Sequence, residues 1–244
     1  MKADQMREEA KKAGTAEAER MAEGHTNVPY ETGMKDLTST MKEAPAAYAL
    51  RSKKQGEYTL EDYYAWPEDE RIELIDGVIY DMAAPTFIHQ RFAFHFTYLV
   101  QNFISRKGGS CIPMVSPVDV RLDRDNRTMV QPDALILCDK SKIRKWGIDG
   151  APDFILEVLS QSTRKKDLRI KLQKYKNAGV KEYWALDPID RKLFVYDFRE
   201  EPFSAVYPLC GEVGIRLYDE ELKISLDELA AMFADVPEDL PDDE

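Results

Sequence analysis

Two acidic residues stand inside apolar runs: Asp133 interrupts MVQPDALIL and Glu157 interrupts DFILEVLS. An ionised carboxylate among apolar strand residues needs a cation, hydrogen-bond donors or a raised pKa. If the two runs are neighbouring strands, the acids approach each other. Oxygen ligands gathered in this way suit a hard divalent cation such as Mg2+ or Mn2+. The plainer alternative gives each acid its own Arg or Lys.

The segment after Glu157 supplies positive charge. STRKKDLRIKLQKYKNAG contains Arg164, Lys165, Lys166, Arg169, Lys171, Lys174 and Lys176, with Asp167 as its one acid. Asp167, Lys171 and Tyr175 recur at helical spacing and share a face. A cationic helix beside paired carboxylates fits a phosphate-bearing substrate, whereas a solvated amphipathic helix explains the charge alone equally plainly. His89, in FIHQ, is either a packed structural imidazole or a group that orients water, touches phosphate or binds a second metal. Glu73, in IEL before a turn, reads more weakly, because an exposed hairpin acid is ordinarily solvated. Tyr175 and Trp184 read first as core aromatics.

The elements that must position these residues follow from local pattern. Thr59 caps a short helix, TLEDYYAWPEDE. RIELIDGVIYDM reads as a hairpin turning at Asp76-Gly77. FIHQRFAFHFTYLVQNFISRKGG is a long helix, with Phe92, Phe96, Leu99 and Phe103 at helical spacing and Gly108-Gly109 stopping it. CIPMVSPVDVRL, MVQPDALIL and DFILEVLS are strand candidates. The cationic segment is the next helix, capped by Ser162 or Thr163, and KEYWALD is the next strand. KLFVYDF, AVYPL and GIRLYDE suggest an antiparallel meander, and SLDELAAMF a last short helix capped by Ser225. This order of helices and strands predicts an α/β sheet packed between helices.

Four blocks in this order carry a family resemblance. VQPDALIL, GAPDFILEVLSQST, the D-x-x-x-K-x-x-x-Y spacing of Asp167, Lys171 and Tyr175, and GVKEYWALDP resemble the Uma-type restriction-endonuclease-like family, a branch of the PD-(D/E)XK nuclease superfamily. Upstream, ELIDGVIYDMAAPTFIHQ resembles the family's opening, with Glu73 and His89 at its motif positions. The resemblance covers roughly residues 57–235. It implies a restriction-endonuclease-like αβββαβ core with a mixed sheet, preceded by a β-hairpin and followed by an antiparallel meander. It implies Asp133, Glu157 and the Val158 carbonyl as metal ligands, with Glu73 as a further ligand. The superfamily pattern places Lys two residues after the Glu, and this chain has Leu159 there. Lys171 is the candidate to fill that role and Lys174 the reserve, while Arg169 and Lys174 are candidates for substrate contact. The implied reaction is Mg2+- or Mn2+-dependent hydrolysis of DNA phosphodiesters, with Asp133, Glu157, Lys171 and His89 as the catalytic set. Two alternatives stand beside it: a non-cleaving DNA-binding or regulatory protein that keeps the fold, and a hydrolase of small phosphoesters. DNA and a divalent metal are the expected partners, and a homodimer is open.

Composition bounds the rest. The chain of 244 residues with net charge −11 argues at first against nucleic acid, yet residues 106–200 carry a net charge of +6 and residues 201–244 a net charge of −11. Such regional asymmetry says more about a partner than the total does. Residues 1–55 read as a flexible extension, residues 56–235 as the nuclease-like domain, and residues 236–244 as an acidic disordered tail. No run is apolar enough for a membrane span, and the charged opening lacks a secretory signal, so a cytoplasmic location is expected. Cys111, Cys138 and Cys210 are odd in number and widely spaced, which predicts three reduced thiols.

Overall fold

The computed structural model describes residues 53–67, 69–199 and 203–236, all within one contact unit. Of the extension expected at 1–55 and the tail expected at 236–244, nearly all lies outside the described residues.

Helix α1 (Leu60–Tyr64) begins where the Asp62 carboxylate accepts the Thr59 N–H at 2.8 Å. Strands β1 (Ile72–Ile75) and β2 (Val78–Asp81) form the hairpin predicted from Asp76-Gly77. Both turn residues take positive φ, 51° and 80°, as a two-residue turn matching strand twist requires. Helix α2 (Phe87–Lys107) is capped by the Thr86 hydroxyl and ends at Gly108, whose φ of 65° satisfies the left-handed stop. Its buried face presents Phe92, Phe96, Val100 and Phe103.

The chain then enters β3 (Ile112–Val115), β4 (Asp119–Arg121), β5 (Ala134–Leu137), β6 (Ile143–Arg144), β7 (Gly147–Asp149) and β8 (Phe154–Val158). A π-helical turn (Lys166–Lys171) runs into helix α3 (Leu172–Ala178), followed by β9 (Glu182–Asp187), β10 (Lys192–Asp197) and β11 (Phe203–Pro208). The main sheet has the order β11-β10-β9-β8-β5-β3; β8 and β9 are parallel, and the other pairs antiparallel. The parallel pair requires a crossover, which the π turn and α3 provide. In chain order α2, β3, β5, β8, α3 and β9 are the expected αβββαβ core, with the hairpin before it and the antiparallel β9-β10-β11 strands closing it.

Strand parity divides the core in two. Ala134, Ile136, Phe154 and Leu156 face α2 and pack with Phe96 and Trp184, Phe154 stacking on Phe96 and meeting Trp184 edge-on. Leu135, Leu137, Ile155 and Leu159 face the other way, toward Tyr175 and Tyr183. A second sheet, β4-β7-β6, adds Val120 and Ile148 to that second face.

Three local expectations are corrected. CIPMVSPVDVRL splits into β3 and β4, and β4 leaves the main sheet to pair with β7. GIRLYDE is not a strand, because Arg216–Tyr218 form a 3-10 turn. That turn connects β12 (Glu212–Gly214) to β13 (Lys223–Ser225), ahead of the last helix, α4 (Leu226–Ala231). The thiols are not all reduced. Cys111 precedes β3 and Cys138 follows β5, so the pairing of Ile112 with Leu137 sets them opposite each other, and they form a disulfide. Cys210 is free and exposed. The disulfide closes a span of 27 residues. Cys138→Ser is therefore expected to lower the unfolding free energy by about 2–4 kcal/mol. Urea titrations with and without reductant check this, and reductant should have no further effect on the variant.

Candidate active site

The register Ala134↔Leu156 on adjacent antiparallel strands sets the next pair, Asp133 and Glu157, opposite each other on one face. Both line a cleft of about 1040 Å3 with Glu73, His89, Val158 and Lys171. Six of the eight residues singled out in the sequence thus converge.

Each acid has defined partners. Asp133 Oδ2 accepts the Val158 N–H at 2.7 Å and lies 3.1 Å from His89 Nε2. Glu157 Oε1 accepts from Lys171 Nζ at 2.9 Å and from the Tyr175 hydroxyl. Tyr175 is thus a core aromatic with its polar end in the site. Glu73 is wholly buried, contrary to the solvated reading. Its Oε1 accepts the Gln131 N–H at 3.0 Å and meets Lys171 Nζ at 2.7 Å, and its Oε2 meets Lys166 at 2.9 Å. Asp167 Oδ1 stands 3.8 Å from Lys171 and has no hydrogen-bond partner among the described residues.

Lys171 is the hub. Helical spacing puts Asp167, Lys171 and Tyr175 on one buried face, as predicted. The π turn delivers Lys171 toward β8, and turns of this kind recur at functional sites. Leu159, in the position where the superfamily pattern has Lys, packs instead in the apolar cluster with Tyr175. The amine beside Glu157 therefore comes from the crossover.

The electrostatics are uneven. Burial opposes the Lys171 charge, but Glu157, Glu73 and Asp167 outweigh it and hold the amine protonated well above its ordinary range. Burial also opposes the Glu73 charge, yet Lys171 and Lys166 keep that carboxyl below its ordinary value. Glu157 goes the other way. Burial, reinforced by Asp133, Asp167 and Glu73, pushes it well above the carboxylate range despite Lys171. Burial likewise raises Asp167.

The donor set fits a hard divalent ion. Asp133 Oδ1 and Glu157 Oε2 accept no hydrogen bond among the described residues. Free carboxylate oxygens on two facing acids are the ligands that Mg2+ or Mn2+ prefers. Asp133, Glu157 and the Val158 carbonyl would hold it.

Arg169 and Lys174 do not line the cleft. Arg169 is exposed, and Lys174 pairs with Asp76 at 2.7 Å and with Asp123. With Asp125, those two acids make the one group of three potential ligands within 4.8 Å among the described residues. Lys174 occupies two of its three acids. Sequence reading missed Arg71 and Lys166 as cleft cations. Lys166 is paired with Glu73, whereas Arg71 reaches the neutral Gln131 side chain at 3.0 Å. An arginine inside the hairpin's opening residues was the available signal.

A mixed sheet carrying an Asp and a Glu on neighbouring strands, with a lysine brought in by the crossover, defines a restriction-endonuclease-like α/β protein. The chain belongs to the Uma2 family, described as "Putative restriction endonuclease", whose family model matches residues 60–205. The crystal structure of a protein from Anabaena variabilis, described as a putative nuclease belonging to DUF820, aligns with a TM-score of 0.59 at 19% identity. The alignment covers 71% of this chain and 97% of that one. At such identity the likeness is one of fold. No curated protein matches this chain.

Proposed function

We propose that this protein is a Mg2+- or Mn2+-dependent DNA endonuclease. The observation that carries the reading is Lys171. It restores an Asp–Glu–Lys constellation in a chain whose position 159 is Leu. A bound divalent ion would lower the pKa of its water and offset charge on the reacting phosphoryl group. His89 and the Val158 N–H orient the Asp133 carboxylate. Tyr175 and Lys171 fix Glu157. Lys171 keeps its proton, so its role is to stabilise negative charge in the transition state and not to act as a base. Gln131 ties Glu73 to the segment that carries Asp133 into β5.

Supercoiled plasmid incubated with Mg2+, Mn2+ or EDTA tests the proposal. Nicking or linearisation with either ion and none with EDTA is the expected result. Intact plasmid under every condition refutes it.

One observation favours a second reading, a non-cleaving DNA-binding protein. Lys171 is held by three carboxylates, 2.7, 2.9 and 3.8 Å away, and is almost wholly buried. DNA retained in a mobility shift without cleavage would select it.

Arg71 is the cleft cation with no carboxylate partner among the described residues, and it is assigned to a substrate phosphate. Arg71→Ala should weaken binding about equally across DNA sequences and lower the salt slope of binding by about one. Titrations of labelled DNA at several salt concentrations in EDTA check this.

A further inference from the structure

A second hollow, of about 570 Å3, lies between β3 and the β6–β7 hairpin. Met114, Leu137 and Ile148 supply apolar lining, while Arg144, Lys145 and Trp146 supply charge and an aromatic ring. Pro117 lines both this hollow and the catalytic cleft, so the two lie on either side of the chain that leaves β3.

The hairpin sequence is selective in its chemistry. Residues 140–146, KSKIRKW, hold four cations and no acid. Lys140 and Lys145 are exposed and have no carboxylate partner among the described residues. Arg144 is 3.3 Å from Asp149, and Arg121 pairs with the same acid at 2.7 Å while lying 5.9 Å from the Trp146 ring. The acid lining the hollow, Asp119, accepts from Tyr63 and Gln131. Trp146 is 39% exposed, whereas Trp66 and Trp184 are 9% and 1% exposed. A flat indole at the rim, bordered by free lysines and leading from a phosphate-directed cleft, is the combination on which unpaired bases stack while backbone phosphates are held.

We infer that the β6–β7 hairpin is a landing site for single-stranded nucleic acid leaving the catalytic cleft, with a base on Trp146 and phosphates at Arg144 and Lys145. The inference rests on the nuclease reading for the identity of the ligand. Its test does not depend on cleavage.

The whole protein in EDTA is titrated with oligothymidylate of about twelve nucleotides, within the reach of one such surface. Trp146 dominates the accessible tryptophan emission, so saturable quenching is expected, and Trp146→Phe should abolish it. Trp146→Ala and Lys145→Ala should each weaken binding of a labelled oligonucleotide, the former about tenfold. Lys145 has no partner to lose among the described residues, which keeps that variant informative if Trp146→Ala proves unstable. Binding that leaves Trp146 emission unchanged, or undiminished affinity in both variants, overturns the inference. Equal quenching by blunt duplex or by polyglutamate also overturns it, showing a duplex or an acidic protein as the occupant. Quenching without plasmid cleavage would sink the nuclease reading and leave this site standing; cleavage without quenching would do the reverse.

Discussion

Asp133→Asn should reduce metal-dependent plasmid cleavage by about a thousandfold or more while leaving the fold intact. Asparagine keeps the size of the side chain and an oxygen that can accept the Val158 N–H, now 2.7 Å from Asp133. What it removes is the negative charge opposite Glu157. Without that charge the remaining oxygens would hold a divalent ion weakly, and the activation such an ion would give to water would be lost. The melting temperature should therefore move by less than about 4 °C, the equivalent of roughly 1 kcal/mol in a domain of this size. Calorimetric titration with Mn2+ should show uptake by the unaltered protein and a large loss of it in the variant. Cleavage at the unaltered rate by Asp133→Asn would remove Asp133 from the chemistry.

Lys171→Met carries the largest expected effect on stability. The amine lies between Glu73 and Glu157, each nearly or wholly buried. Methionine fills most of its volume but leaves those acids without their shared cation. Breaking a buried pair from one side costs about 3–5 kcal/mol, because the stranded charge cannot be resolvated. The two acids differ in what remains to them. Glu73 keeps Lys166 at 2.9 Å, whereas Glu157 keeps the Tyr175 hydroxyl alone. Adding Glu157→Gln to Lys171→Met should therefore recover much of the loss, and adding Glu73→Gln should recover less. Urea denaturation of the single and double variants gives the coupling directly. A Lys171→Met protein as stable as the parent would mean that the amine does not sit between those acids. Cleavage should be absent in every member of the set, separating the restored fold from the lost charge stabilisation.

Much of the site was legible because it lies on short-period patterns. Asp133 and Glu157 stand out as polar residues in runs that have no other use for polarity. Asp167, Lys171 and Tyr175 share a helix face whatever that helix packs against. Other features depended on distant partners. Glu73 looked like a solvated hairpin acid, and only the approach of Lys166 and Lys171 from more than ninety residues away explains its burial. Lys174 looked as available as Lys171, but a single turn of helix aims it at Asp76 and Asp123 instead. The β6–β7 hairpin has no counterpart among the strands expected from sequence, and β7 takes its place by pairing with β4. The Cys111–Cys138 pair was invisible for the same reason, since strand register brought together two thiols that no spacing rule connects.

The sequence by itself determined the αβββαβ order, the paired acids and the helix face bearing the lysine, because periodicity and turn chemistry act over a few residues. Tertiary structure alone decided which cation meets which carboxylate and which acids burial pushes above their ordinary range. Those outcomes depend on burial and on separations of a few ångströms, and electrostatic energy in a water-poor interior changes steeply with both.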